Sequence, residues 1–342
     1  MTAPAWKELV PDGEPARLEA LAEQLHAIQR RRAVNGKAAR GLHAKGLAGV
    51  EAELTVLPDI DPRARAGIFA RPATHRAFVR FSNGAGTRQH DRRGDVRGLA
   101  IKVLGVEGRK LIPGLEGART QDFLLIQSPS TPFKNAEEFI FFVRAVERPA
   151  LLLPRVLLRF GPVGGLRLLR RLVASVSRPV PSMATARYYS GLAVRWGASA
   201  VHYAVSPHAS SPPGAPTPDG RDGLGDELAA RLSAGPVSFD FQLQFFKDEA
   251  TTPIEDASRE WKEADAPFVT VARLTIPRQD LRSPRGRRIA DYVETLSFDP
   301  WHAPEDFRPL GNMMRARNAA YRLSTQERAA APEPDGSERF DD

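Results

Sequence analysis

The chain has 342 residues, 42% of them hydrophobic and 26% charged, a composition able to bury a core in one large domain or two small ones. It contains no cysteine, which excludes disulfides, thiolate metal centres and cysteine nucleophiles. Lys and Arg total 49 against 41 Asp and Glu, a net charge of +8 carried mostly by arginine. Such a balance suits nucleic acid, a membrane surface, or buried arginines that hold an anionic cofactor.

Met1 to Glu8 lacks the basic-then-apolar order of a secretory leader, and no stretch reaches about 18 uncharged apolar residues, so the expectation is a cytoplasmic protein without a spanning helix. Residues 14–33 read as an amphipathic N-terminal helix, with Leu18, Leu21, Leu25 and Ile28 on one stripe. Arg40-Gly41-Leu42-His43-Ala44-Lys45-Gly46 is a glycine-flanked loop running into a strand at Ala48–Leu57; a histidine there is most often structural. Ala66–Ala70, Ala77–Ser82, Arg97–Leu104 and Asp122–Gln127 are short runs bounded by Gly, Pro or Asp, and read as further strands of an antiparallel barrel or sandwich.

Residues 149–176 alternate leucines with Arg155, Arg159, Arg167, Arg170 and Arg171, and Pro154, Pro162 and Gly164-Gly165 are expected to cut them into two short helices. This Leu/Arg-rich insert reads as a basic helix pair packed on the barrel or at a homo-oligomer contact, or as a peripheral element touching membrane or lipid. Val194–Val205, Val237–Phe246 and Phe268–Ile276 complete eight strands; in the second, Val237, Phe239, Phe241, Leu243 and Phe245 alternate with polar residues. Ser206 to Gly225 is a Pro, Gly and Ser-rich loop, and 329–342 an acidic, proline-containing tail expected to be disordered.

Met313 to Arg328 has good helix formers and neither Gly nor Pro. On that helix Arg317, Tyr321 and Arg328 share one face. A guanidinium one turn before a tyrosine favours phenolate, a hard oxygen ligand for ferric iron and a known axial ligand of haem. An arginine two turns on could hold a haem propionate by a charge-assisted contact. The alternative is a surface helix with one packed tyrosine.

His-Ala-Lys-Gly at His43, Val-Arg-Phe-Ser at Val79–Ser82, Asp-x-Arg-Gly-x-Ala-x-Lys at Asp95–Lys102 and Arg-x-x-x-Tyr at Arg317–Tyr321 stand in the order of the haem catalase superfamily. From about Arg40 to Arg328 the chain resembles that superfamily, as a short catalase-related peroxidase without the long N-terminal arm or C-terminal helical extension. The resemblance implies an α+β fold: an eight-stranded antiparallel β-barrel with flanking helices, haem b buried against it, and one domain over residues 1–328. It implies that Tyr321 ligates the iron, that Arg317 supports it, and that Arg40, Arg80 and Arg328 grip the propionates. His43 would move the peroxide proton, with Ser82 fixing its tautomer. Gln127 falls in place of a distal asparagine, one methylene longer, with Phe139 packing over the haem and Asp95 lining the channel.

The function so implied is consumption of hydrogen peroxide, of catalase or peroxidase type, through an oxo-ferryl intermediate and with a small reducing donor. The alternative uses the same haem to reduce or rearrange lipid or organic hydroperoxides. No aromatic-interleaved basic stretch or helix-turn-helix pattern points to nucleic acid.

Overall fold

The computed structural model describes residues 5–33, 39–211 and 220–341. Within them lie strands β1 (Lys45–Val56), β2 (Thr74–Asn83), β3 (Arg97–Leu104), β4 (Thr120–Ile126), β5 (Tyr188–Tyr189), β6 (Val194–Trp196), β7 (Ser199–Pro207), β8 (Val237–Phe245) and β9 (Val269–Ile276). All ladders are antiparallel, in the order β5-β4-β3-β2-β1-β9-β8-β7-β6, and β5 also pairs with β7. That last pairing closes an eight-stranded barrel and leaves β6 as a hairpin arm on β7. Closure removes the exposed edges that an open sheet would present.

Period-two alternation decides what fills the barrel. On β8 the five apolar residues from Val237 to Phe245 are all buried, and Ser238, Asp240 and Gln242 between them are half-exposed. Val79 and Phe81 of β2, Ile101 of β3 and Phe123 of β4 point into the same core. Each such side chain contributes about 1.5–3 kcal/mol of burial.

One expected strand does not exist, and the count of eight is made up elsewhere. Ala66–Ala70 folds as a single 3-10 turn at Gly67–Phe69. Gly67 has φ +46°, and a Cβ there would fall 2.3 Å from the Phe307 ring, so an extended run is blocked by a ring packed against the backbone. Phe69 instead packs on Trp196, with ring centroids 4.7 Å apart. Its place in the barrel goes to Tyr188–Tyr189, two residues too few to show a period. Val194–Val205 is not one strand but the β6–β7 hairpin, turned at Gly197 with φ +59°.

Among the described residues six helices flank the barrel: α1 (Glu14–Arg31), α2 (Ala136–Ala145), α3 (Leu152–Val176), α4 (Gly223–Ala234), α5 (Pro284–Thr295) and α6 (Asn312–Glu327). The sequence reading missed α2, α4 and α5, although two of them carry a start signal: Asn135 Oδ1 accepts from Glu138 N and Ser283 Oγ from Gly286 N, both at 3.0 Å. Of the loop expected at 206–225, residues 212–219 lie outside the described residues, and Gly223 already opens α4. In α3 the break falls at Gly161, with φ 68° and ψ 171°, just before Pro162; Pro154 and Gly164-Gly165 do not interrupt the helix.

α6 is set in place by a charge clamp. Arg315 pairs with Glu8 at 2.7 Å and with Glu14 and Glu255 at 3.0 Å, while Gly311 N and Asn312 N donate to Glu8 and Glu255 at the helix start. Carboxylates there meet unpaired N–H groups and the positive end of the helix dipole.

Residues 329–341 run back over the barrel, where Glu333 meets a buried ion site. Glu333 reaches Lys102 Nζ at 2.6 Å and accepts from Thr120 Oγ1 and Ser297 Oγ, and Phe340 packs edge-on against Phe78. Burial opposes the Glu333 charge, but Lys102 and His302 outweigh it and hold the carboxyl down to about 2. With the folded value below the ordinary 4.5, its stabilising effect is present above about pH 4.5 and lost as pH falls toward 2. Glu333→Gln is expected to destabilise the fold by about 1.5–3 kcal/mol at pH 7, with the difference from the parent chain shrinking in melts run below pH 4.

Candidate active site

On α6, Arg317 Nη2 donates to Tyr321 Oη at 2.8 Å, and its guanidinium carbon stands 5.0 Å from the centre of the Tyr321 ring. The i, i+4 spacing of a helix produces this contact. Burial works against the Arg317 charge, but Tyr321, Tyr203 and Asp299 outweigh it and keep the guanidinium above its ordinary value.

His43 lies two residues before β1. Its φ of +54° is rare for a residue with a side chain. The conformation is fixed by His43 N donating to Gly84 O at 2.9 Å and by Arg80 Nη2 donating to His43 O at 3.0 Å. His43 Nδ1 and Ser82 Oγ are hydrogen-bonded at 2.9 Å. Beneath the ring lies Gly98, paired in register with Ser82. A Cβ on Gly98 would stand 2.6 Å from His43 Cε1 and 2.7 Å from Nδ1, so only glycine admits the ring here. Burial, then the charges of Arg80, Arg317 and Arg40, push the imidazole down to about 3. His43 is therefore a neutral base at physiological pH.

Three guanidiniums gather beside it around one carboxylate that the sequence reading did not single out, Glu294 of α5. Arg40 pairs with Glu294 and donates to Leu296 O at 2.8 Å; Arg80 Nε donates to Glu294 Oε2 at 2.8 Å. Burial opposes the Glu294 charge, yet Arg80 and Arg40 hold its carboxyl below the usual range. Burial and the like charges of Arg80 and Arg328 still push Arg40 down to about 9, with Glu294 only partly offsetting them. The Nε of Arg328 is buried and has no hydrogen-bond partner among the described residues. The demand of three buried arginines for a counter-charge was the available signal for Glu294.

Phe139 on α2 packs with Phe133, centroids 5.4 Å apart, in a cluster that includes Met313 at the start of α6. Gln127 and Asp95 are placed differently from the other candidates. Side chains of β4 alternate, and Gln127 shares the inward parity of Phe123 and Leu125, opposite to the face that carries His43. Its Oε1 accepts from Arg97 N at 2.6 Å and its Nε2 donates to Asp95 O at 3.4 Å. Asp95 accepts from Ala85 N, Gln89 Nε2 and Val96 N, so its carboxylate is spent on the loop before β3. The residue on the His43 face is Ile126, the register partner of Gly98. A one-residue slip in reading a strand moves a side chain to the other face, which is how Gln127 was taken for the distal amide.

The chain is 32% identical over 310 residues to a catalase-related peroxidase of Mycolicibacterium paratuberculosis, an alignment covering 84% of this chain and 88% of the relative. The chain belongs to the catalase-related peroxidase family. No family model matches it. Its backbone is similar to that of a bacterial catalase (TM-score 0.63, 17% identity), a fungal catalase (0.62, 16%) and catalase A of Saccharomyces cerevisiae (0.66, 15%). Each match covers 96% of this chain but 63%, 65% and 67% of those catalases, so the chain spans about two thirds of their length and shares their fold.

Family membership makes this catalase-related peroxidase a peroxide-consuming oxidoreductase and implies a haem cofactor. The residues present fit such a group. The guanidiniums of Arg40, Arg80 and Arg328 outnumber Glu294, and the orphaned Arg328 Nε is a donor suited to a carboxylate. Gly98→Ala probes the cradle. The added methyl displaces the His43 ring, and a misplacement of about 1 Å can cost about a hundredfold. Peroxide turnover is expected to fall by that order in the haem-loaded variant with its circular dichroism unchanged.

Proposed function

We propose that the protein reduces peroxide at haem b, with Tyr321 ligating the iron, supported by Arg317, and with Arg40, Arg80 and Arg328 on the propionates. Phe139 would pack against the haem's edge near Met313. When bound, the haem supplies the redox iron at which the O–O bond is cleaved, and a small reducing donor restores it.

The observation that carries the proposal is a buried histidine whose Nδ1 is hydrogen-bonded to Ser82 Oγ at 2.9 Å. When Nδ1–H is the donor in that contact, Nε2 carries the lone pair. His43 can then take the proton from one peroxide oxygen and return it to the other, which leaves as water. The ring rests against Gly98, where a Cβ would stand 2.6 Å from Cε1. Because His43 titrates at about 3 rather than 6.5, the base stays unprotonated across the neutral range.

His43→Ala is expected to retain haem yet consume peroxide about 10²–10⁴-fold more slowly. The parent enzyme should show no acid inflection near the ordinary imidazole value of about 6.5. A loss of less than about tenfold would remove His43 from this role, whereas an inflection there that disappears in His43→Ala would contradict the lowered titration of the ring.

A second reading, preference for organic hydroperoxides, is favoured by Ile126. Where an amide would bind a small polar peroxide, the strand offers an isoleucine beside Gly98, with Ala100 and Leu124 next on the same face. An apolar wall accommodates an alkyl group and gives hydrogen peroxide no donor. Ile126→Asn is expected to raise the rate with hydrogen peroxide relative to cumene hydroperoxide by about tenfold or more, the value of one buried hydrogen bond; an unchanged ratio would count against the second reading. Gln127→Asn, by contrast, would loosen the Asp95–Arg97 backbone and leave that ratio where it is.

A further inference from the structure

The barrel and the Tyr321–His43 site leave α3 unexplained. Its inner face is consumed by packing: Val156 and Leu168 are buried against Phe133, with Phe139, Phe142 and Phe160 around them. Its outer face is not. Of the ten large apolar side chains left exposed among the described residues, seven lie between Leu151 and Val173. Leu158 is 90% exposed, Val163 71%, Val173 61% and Leu166 58%. Val163, Leu166, Arg167, Arg170 and Val173 follow the i, i+3, i+4, i+7 rule and so form one stripe.

The charge on this surface has one sign. Arg155, Arg159, Arg167, Arg170 and Arg171 lie on α3, no acidic residue occurs between Glu147 and Asp219, and none of the five pairs with a carboxylate among the described residues. Beside the first half of α3 a groove of about 850 Å³ opens between α1, α2 and α3. Its walls include Ile28, Ile140 and Phe141, and Arg144, Arg148 and Arg159 stand among its lining. Glu137 and Glu147 also line it, so the surface of one charge sign is the outer face of α3 and not the groove.

We propose that the outer face of α3 docks on an anionic lipid bilayer, its leucines and valines entering the headgroup boundary and its arginines meeting lipid phosphates. Charge complementarity chooses this occupant. A second copy would have to present the same patch across a two-fold axis and so set arginine against arginine. A neutral apolar partner would leave the guanidiniums without counter-charges. No described helix is long and apolar enough to cross a membrane, and α3 is broken at Gly161, so the contact is one of a helix lying on the surface.

The test is co-sedimentation of the full, haem-loaded chain with large unilamellar vesicles. Vesicles of mixed phosphatidylglycerol and phosphatidylcholine should bind the protein, pure phosphatidylcholine should not, and raised salt should weaken the association. Arg167→Gln with Arg170→Gln should weaken binding about thirty-fold at low salt, from about a fivefold contribution per arginine near a charged surface. Leu158→Glu with Leu166→Glu should abolish it, and both double variants should keep turnover of a soluble peroxide, which shows that they are folded. The proposal fails if phosphatidylglycerol vesicles do not sediment the protein or if both variants bind as the parent does. It fails equally if the parent runs as a dimer that Leu158→Glu with Leu166→Glu dissociates while no vesicle binding is seen, which would assign the face to a second copy.

Discussion

The placement of the site depends on the ion pairs that Glu294 makes with Arg40 and Arg80. They join three parts of the chain far apart in sequence: the approach to β1, the middle of β2 and the C-terminal half of α5. Gly46 and Gly49 make this geometry reachable. A Cβ on Gly46 would stand 2.7 Å from Glu294 Oε2, and one on Gly49 would stand 2.7 Å from Val293 Cβ. Without those two glycines α5 could not lie so close to the barrel, and the arginines would face an empty corner. The Arg40 and Arg80 side chains are 13% and 5% exposed and that of Glu294 40%, so losing the carboxylate would strand two largely buried guanidiniums. The cluster remains short of negative charge even so, with three guanidiniums to one carboxylate.

The same deficit sets the chemistry of His43. A histidine in water is protonated about half the time near pH 6.5, and the protonated fraction cannot accept a proton. Here burial comes first and the surrounding positive field second, and both favour the neutral ring. Arg40 and Arg80 belong to both arrangements: they pair with Glu294, and with Arg317 their charge disfavours protonation of His43. The strained backbone at His43 belongs to the same arrangement, since Arg80 bonds both to Glu294 and to the His43 carbonyl.

Much of this was legible in the sequence, and what was not had physical causes. The Arg317–Tyr321 contact followed from helical spacing, and β8 showed a clean period of two. His43 with Ser82 required a long-range pairing, and only the resemblance of the motifs supplied it. The side on which Gln127 lies could not be read, because parity is invisible until a strand's register is known, and it is Ile126 that pairs with Gly98. Ala66–Ala70 has the composition of a strand, but the Phe307 ring packed on Gly67 overrides local preference. The tail composition is that of a solvated segment, and it reads as disordered until Lys102, fully buried, is seen to need a second carboxylate. Glu294 and Gly98 matter through what touches them, which no single stretch of sequence displays.

The central claim is that the face of α6 opposite His43 presents Tyr321 to a haem iron, and the spectrum of the haem-loaded protein tests it most directly. Wild-type protein reconstituted with ferric haem should show the charge-transfer bands of a high-spin tyrosinate complex, and Tyr321→Phe should lose them while Arg40, Arg80 and Arg328 still retain the porphyrin. A Tyr321→Phe spectrum identical to that of the wild type would contradict the account, since the iron would then be held by another residue and the pocket assigned here would be the wrong one.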